Sequence, residues 1–457
     1  MTLLSRRPGS FGGVVLSRFQ RPGQVIVGGF AAVIAIGTAL LALPIATTEG
    51  EPAGTLPALL TATSAVCVTG LITVDTDPHW SVFGEVVILL LIQVGGLGIM
   101  TLATLFALLV SGRLGLRARL LAQAETKTLH GADLRRVIRR IVVFSLVSET
   151  VLAVVLSLRF ALGYAEPPGR AIWLGVFHSV SSFNNAGFTL WTDGMVRFVA
   201  DPWVVLPVAF AVILGGLGFP VVFELLSNWR RPRTWSVLTR ITVGVSAALL
   251  VGGTLLFTVV EWQNPRTLGP LPDHVKFMAG FFTAVMPRSG GLNVIDISAM
   301  RHESWLATDI LMFIGGGSAG TAGGIKVTTF GLLAFVMWAE LRGEDRVNVG
   351  HRRVAGPVQR QALTIALLGV GIVAAGTFTL LAMVPHSLDR VLFEVVSAFA
   401  TVGLSTGITP QLPPPGQLLI IVLMFIGRVG PLTVFSALAL RERTRRYELP
   451  EERPIVG

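Results

Sequence analysis

The chain has 457 residues, 52% of them hydrophobic and 14% charged, with a mean hydropathy of +0.72. Soluble domains carry about 25% charged residues, so this composition excludes an ordinary soluble protein and marks an integral membrane one. The net charge of +10 is grouped, with most Lys and Arg in blocks 1–21, 113–140, 230–240, 341–360 and 441–457 and none in residues 22–112. Such grouping marks cytoplasmic connections by the positive-inside rule, so the basic excess reads as topology rather than nucleic-acid binding. A single cysteine, Cys67, excludes an intramolecular disulfide framework.

In chain order, Arg18 and Arg21 precede the apolar run Gln24–Ala46. That run exceeds the roughly 7–15 residues of a signal-peptide core and reads as a retained first spanning helix. Apolar runs long enough to span, about 20 residues or more, lie near 24–46, 83–112, 137–163, 202–228, 236–262, 304–338, 358–384 and 415–440. Shorter apolar stretches, near 56–66, 171–183, 275–286 and 388–399, fall between the members of each pair. The pattern predicts an all-α membrane protein of four pseudo-symmetric units around one pore. Each unit is a spanning helix, a re-entrant pore helix with its loop, and a second spanning helix. The expected divisions are a cytoplasmic N-terminus 1–23, pore units 24–112, 137–230, 231–340 and 357–442, cytoplasmic connections 113–136 and 341–356, and a tail 443–457.

Each short stretch ends at a glycine: Gly70, Gly187, Gly291 and Gly403, spaced 117, 104 and 112 residues apart. A second glycine motif follows in each unit: Gly95-Gly96-Leu97-Gly98, Gly215-Gly216-Leu217-Gly218, Gly315-Gly316-Gly317-Ser318 and Gly427-Arg428-Val429-Gly430. Any one glycine alone is read as a helix-contact residue; two motifs in register four times over are not. Irregular backbone at membrane depth is tolerated only where it is buried or lines water. The four loops are therefore expected to converge on a wet interior and present a ring of backbone carbonyls, the construction of a cation filter. The segment Gly315–Gly324 holds six glycines in ten residues, each costing about 1 kcal/mol in a helix relative to Ala, so it is not expected to be helical.

Thr61-Ala62-Thr63-Ser64-Ala65-Val66-Cys67-Val68-Thr69-Gly70-Leu71 resembles the first pore loop of the bacterial TrkH/KtrB potassium transporters, a family within the superfamily of K+ transporters. Ser182-Phe183-Asn184-Asn185-Ala186-Gly187-Phe188 and Pro287-Arg288-Ser289-Gly290-Gly291 resemble the second and third loops. Ser289-Gly290-Gly291-Leu292 stands where the family often has Thr-Ala-Gly-Phe. Because the chain begins directly with the first unit, it looks more like KtrB, the ion-translocating subunit of the Ktr system, than like TrkH.

The resemblance implies channel-like potassium uptake across a bacterial cytoplasmic membrane, with both termini cytoplasmic. It implies a homodimer with one pore per subunit and a cytoplasmic RCK-type ring (KtrA/TrkA-like) that binds nucleotide, ATP/ADP or NAD, on the partner. Membrane lipids are expected partners and nucleic acid is not. On this reading the filter carbonyls belong to Cys67, Val68, Thr69 and Gly70; Asn184, Asn185, Ala186 and Gly187; Arg288, Ser289, Gly290 and Gly291; and Ala400, Thr401, Val402 and Gly403. Glycine at all four loop positions implies potassium as the permeating ion. The role of sodium, coupled or activating, stays open.

The gating set is Gly315, Gly316, Gly317, Ser318, Gly320, Gly323, Gly324, Lys326 and Arg428. The Gly-rich segment looks like the family's intramembrane loop beneath the filter, and Arg428 matches its pore-facing arginine. Arg288 is expected to point behind its loop, and Lys326 to extend toward the cytoplasmic surface. Glu149, His178, Glu224 and Glu394 are read as packing or partner residues, with Glu394 near the start of its helix. Alternative functions are a sodium-permeable member of the same family, or a secondary transporter, which would normally show two inverted repeats. No Ser-His-Asp grouping, metal-ligand spacing or phosphate loop stands out, so an enzyme is not expected.

Overall fold

The computed structural model describes residues 22–112, 131–344, 346–350, 352–430 and 433. Residues 1–21 of the expected N-terminal segment, most of the 113–136 connection, most of 431–442 in the fourth unit and the tail 443–457 lie outside the described residues.

The short apolar stretches fold as buried helices: α2 (Thr55–Cys67), α5 (Pro168–Phe183), α9 (Asp273–Val285) and α13 (Leu388–Ala400). The longer runs form α1 (Pro22–Leu41), α3 (Val82–Gly112), α4 (Gly131–Gly163), α6 (Pro202–Leu217), α7 (Phe219–Asn228), α8 (Val237–Glu261), α10 (His302–Phe313), α11 (Val327–Leu341), α12 (Gly356–Leu381) and α14 (Pro414–Val429). A two-residue antiparallel pair, β1 (Asn348–Val349) and β2 (Arg352–Arg353), turns between α11 and α12. Two helix starts are set by capping residues. Asp201 accepts from the Trp203 N–H ahead of Pro202, and Ser236 accepts from the Thr239 N–H.

The burial pattern is inverted relative to a water-soluble bundle. Large apolar side chains such as Phe378, 78% exposed, and Val259 cover the outside of the long helices, while the short helices are enclosed. So much exposed apolar surface is matched to hydrocarbon rather than water. Among the described residues, three helices are long and apolar enough to cross a membrane, Arg136–Gly163, Val237–Glu261 and Gly356–Leu381. A fourth candidate, α6 with α7, is bent by 103°.

Among the described residues, the 202–228 and 304–338 runs are interrupted deep within their length. The 202–228 run breaks at Gly218, whose φ is 91° and whose Cα lies against the Ser318 carbonyl, with Pro220 following at the start of α7. The 304–338 run is interrupted over residues 314–326, closed at its neck by a parallel bridge between Ile314 and Ile325.

The helices pack in cyclic order. Within the sequence α1 and α3 flank α2, α4 and α6 flank α5, α12 and α14 flank α13, and α8 packs on both α9 and α10. Across these groups α3 meets α5, α6 meets α9, α10 meets α13, and α14 returns to α2. The last contact closes a ring.

Candidate functional site

The four glycine loops meet at the centre of that ring. A methyl group placed on Gly70 would lie 2.6 Å from the Ala186 carbonyl oxygen and 3.0 Å from Gly187 Cα. One on Gly187 would lie 3.0 Å from Gly291 Cα and 3.3 Å from the Thr69 oxygen. One on Gly291 would meet the Val402 oxygen, and one on Gly403 the Thr69 oxygen. The carbonyls of Thr69, Ala186 and Val402, each one residue before its glycine, thus face the meeting point. All four glycines line the floor of one cavity of about 520 Å³, whose walls carry Asp296 and Arg390.

The backbone explains why. In every loop φ is positive at the glycine (96°, 71°, 69° and 96°) and again two residues earlier, at Val68, Asn185, Ser289 and Thr401 (55°, 62°, 76° and 49°). The residue between them keeps negative φ. Alternating the hand of successive residues lays the carbonyls on one side of the chain and the N–H groups on the other. The N–H groups are spent on the parent helix. Thr69 N–H donates to the Ser64 carbonyl (2.8 Å), Ala186 N–H to that of Ser181 (2.7 Å) and Val402 N–H to that of Ser397 (2.9 Å). Gly70 and Gly403 N–H donate to the Ser64 and Ser397 hydroxyls, at 2.9 and 3.1 Å. Each short helix also ends at its loop, so the negative end of its dipole faces the centre.

The third loop departs from this pattern. Val285 stands where the others have serine, and both Gly290 and Gly291 N–H turn to the Met286 carbonyl. Its Ser289 hydroxyl instead donates to the Thr401 carbonyl (2.8 Å) and accepts from the Gly323 N–H (3.2 Å). The Thr401 carbonyl is thereby engaged within the protein. The buried Thr69 and Thr401 hydroxyls have no hydrogen-bond partner. Arg288 turns behind its loop, donating to the Ser246 hydroxyl at 2.7 Å; among the described residues no carboxylate meets it. Asn184 likewise faces away, donating to Gln93 and Glu149, each at 3.0 Å.

The segment between α10 and α11 presses against these loops from the side opposite the cavity. Thr321 Oγ1 donates to Asn185 Oδ1 at 2.9 Å, and a methyl on Gly324 would lie 3.1 Å from Ala400 Cα. The same segment fills the break between α6 and α7: Gly317 N–H donates to the Gly216 carbonyl (2.7 Å) and Thr321 N–H to that of Gly215 (3.1 Å). Arg428, 2% exposed, bridges it to another helix, donating to the Thr321 carbonyl and to the Gly95 carbonyl at 3.0 Å. Lys326 is partly buried. Its amine turns back onto the Ala322 carbonyl at the foot of the same segment.

The second glycine motif has its own geometry. A Cβ on Gly95, Gly215 or Gly427 would strike the carbonyl of Val66, Phe183 or Phe399, each in the last turn of its short helix. Gly315 instead faces the Gly323 carbonyl of its own segment. Of the other ionisable residues, His178 accepts from Leu190 N–H, makes a second bond to the Leu174 carbonyl and stacks on Trp191 at 4.1 Å. Glu224 accepts from Ser236 and Thr239. Glu394 sits mid-helix in α13 rather than near its start, and accepts from Ser405 and Thr409. Asp389 occupies the first turn instead. A hydrogen bond from Ser387, opposed by burial and reinforced by Arg390 N–H and His302, holds its carboxyl below the usual carboxylate range.

The anchoring serines escaped the sequence reading, although their spacing, six residues before Gly70, Gly187 and Gly403, was there to be seen. Asp309 and Glu261, both buried, were also passed over. Among the described residues no group of three or more His, Cys, Asp or Glu side chains gathers to hold a metal ion.

A family model described as TrkH, cation transport protein, matches residues 17–444. The Ktr system potassium uptake protein B of Bacillus subtilis (strain 168) is 40% identical over 93% of this chain and 95% of its own length. The protein of the same name from Vibrio alginolyticus is 38% identical over 95% and 94%. The potassium/sodium uptake protein NtpJ of Enterococcus hirae is 37% identical over 95% and 97%. In structure the chain is similar to the potassium transporter TrkH from Vibrio parahaemolyticus, with a TM-score of 0.68 and 17% identity, covering 91% of this chain and 85% of that one. The family match over nearly the whole chain, the curated relatives and the shared helical fold agree, and the chain belongs to the TrkH family of cation transport proteins.

Proposed function

We propose that this chain is the ion-translocating subunit of a potassium uptake system, passing potassium through the ring where its four glycine loops meet. The observation that carries the reading is the convergence of Gly70, Gly187, Gly291 and Gly403 on the floor of one cavity, with the Thr69, Ala186 and Val402 carbonyls turned to one another. Carbonyl oxygens replace the hydration shell of a cation without adding fixed negative charge, so the ion is bound and released. The unpartnered Thr69 and Thr401 hydroxyls add oxygen ligands of the same kind. The relatives named for potassium uptake support potassium as the substrate.

On this reading four pseudo-symmetric units with eight membrane crossings surround the pore, the cavity is its outer mouth, and both termini are cytoplasmic in a bacterial inner membrane. The Gly315–Gly324 segment is the gate, lying across the path under the filter. Arg428 locks it through two carbonyl contacts and places a positive charge at membrane depth, a barrier to cations. Two copies assemble with a pore each, and a cytoplasmic nucleotide-binding ring of the RCK type moves the segment. A sodium-permeable pore is the second reading, favoured by the relative named for potassium and sodium uptake.

The test is flux of rubidium, potassium and sodium into liposomes carrying the purified protein, the two physiological ions varied separately, with and without the regulatory ring. Potassium and rubidium uptake exceeding sodium uptake is expected. Equal sodium flux selects the second reading, and no cation flux with the ring supplied defeats both.

A further inference from the structure

A second cavity, of about 570 Å³, lies away from the pore between α10, α11, α12 and α13. Its lining is apolar, including Ile310, Phe313, Val370 and Leu392, apart from Asp309 and Thr377. Both polar residues are buried, 7% and 6% exposed, and Asp309 Oδ1 and Thr377 Oγ1 have no hydrogen-bond partner. Asp309 stands seven residues into α10, roughly 10 Å along the helix axis from the His302 end. The rim residues Ile310, Phe378 and Leu388 belong to the exposed apolar surface, so the cavity opens sideways onto the bilayer.

A carboxyl oxygen facing hydrocarbon without a donor is costly, and intramembrane acids normally pair or face water. A threonine on a helix can satisfy its hydroxyl on the carbonyl four residues back; Thr377 does not. Two open oxygens in the wall of an otherwise apolar chamber define a ligand with a donor head and an apolar body. The chamber falls in the ~300–1,000 Å³ range of small-molecule sites. A cationic donor answers a buried carboxylate better than a neutral one, because in a low-dielectric site it offsets the charge as well as the hydrogen bond. Asp389, the neighbour of Leu388 in sequence, does not line the chamber and is paired with His302 at 2.7 Å.

We propose that this chamber binds a membrane amphiphile with a protonated amine head, the ammonium seated between Asp309 and Thr377 and the apolar body along Phe313, Val370 and Leu392. The ligand reaches the site from the lipid, and pore residues are not involved.

Dodecylammonium is the probe, with dodecanol and dodecanoate as controls, added to the full-length protein in nanodiscs of zwitterionic lipid while thermal unfolding is followed. Saturable stabilisation by the amine alone is expected in the parent. Asp309→Asn should weaken its half-saturation at least tenfold, and Val370→Trp, which fills the chamber and leaves the carboxylate in place, should abolish it. Both variants should keep rubidium flux, showing that they are folded. Stabilisation that survives both substitutions places the amine elsewhere, at the pore mouth or in bulk lipid, and overturns the proposal. Equal stabilisation by dodecanol overturns the cationic head. Loss of the parent's chamber to a second copy of the chain, read as a dimer that Val370→Trp dissociates, overturns it in favour of an interface.

Discussion

Gly70 combines a φ of 96° with backbone atoms of the neighbouring loop within 3.0 Å of any Cβ placed on it. A side chain there meets conformational strain, about 1–3 kcal/mol for a residue held in a sparsely populated region, and a clash with Gly187 that only movement of the second loop relieves. Gly70→Ser is therefore expected to lower rubidium flux at least tenfold and to narrow the potassium-to-sodium ratio, while the protein still inserts and elutes normally. Paired flux measurements in liposomes check this; unchanged potassium selectivity would remove Gly70 from the filter. The glycines were legible in the sequence because no other residue accepts such torsions readily. Their left-handed companions were not. Val68 and Thr401 are β-branched, and a positive φ there is an outlier that local propensity argues against. It persists because the two N–H groups that follow each of them, Thr69 and Gly70 or Val402 and Gly403, are tied to Ser64 or Ser397.

At the scale of elements, the second glycine motif is a contact requirement of helix on helix end. The Cα of Gly95 lies against the Val66 carbonyl and that of Gly427 against the Phe399 carbonyl. Gly95→Ala and Gly427→Ala should each destabilise by about 1–3 kcal/mol, the usual cost of overpacking a tight contact. Gly371→Ala, on α12 with nothing near its Cβ, should be neutral or stabilise by up to about 1 kcal/mol. Unfolding of the three purified variants in denaturant decides between these outcomes. If all three behave alike, the motif is a composition effect and not a contact. The short helices and their ends were readable from run length and flanking glycines. The break at Gly218 was not, since an apolar run containing Pro220 reads equally as one kinked span; the Ser318 carbonyl, about a hundred positions away in the chain, decides it.

For the whole molecule, the contact of α14 with α2 matters most, because it closes the ring and brings Arg428 beside Gly95 and Thr321. Arg428→Gln should raise cation flux without the regulatory ring about tenfold, equivalent to about 1.4 kcal/mol off the barrier. Arg428→Lys should fall between, since an ammonium keeps the charge but lacks the planar fork that reaches two carbonyls at once. Flux of Arg428→Gln no higher than that of the parent would deny the residue a part in closing the pore.

The sequence by itself determined that the chain lives in a membrane, that short and long apolar helices alternate, and that four glycines recur in register. These properties are local: hydropathy, run length and the torsional freedom of glycine are carried by each residue without reference to distant ones. Only the tertiary structure decided which carbonyls face the centre, why the third loop differs, that Ser289 ties the Thr401 carbonyl to the Gly323 N–H, and that Asp309 opens onto a separate chamber. Those facts depend on contacts between residues up to 333 positions apart, as between Arg428 and Gly95. Closing the ring sets them, and no local pattern encodes its closure.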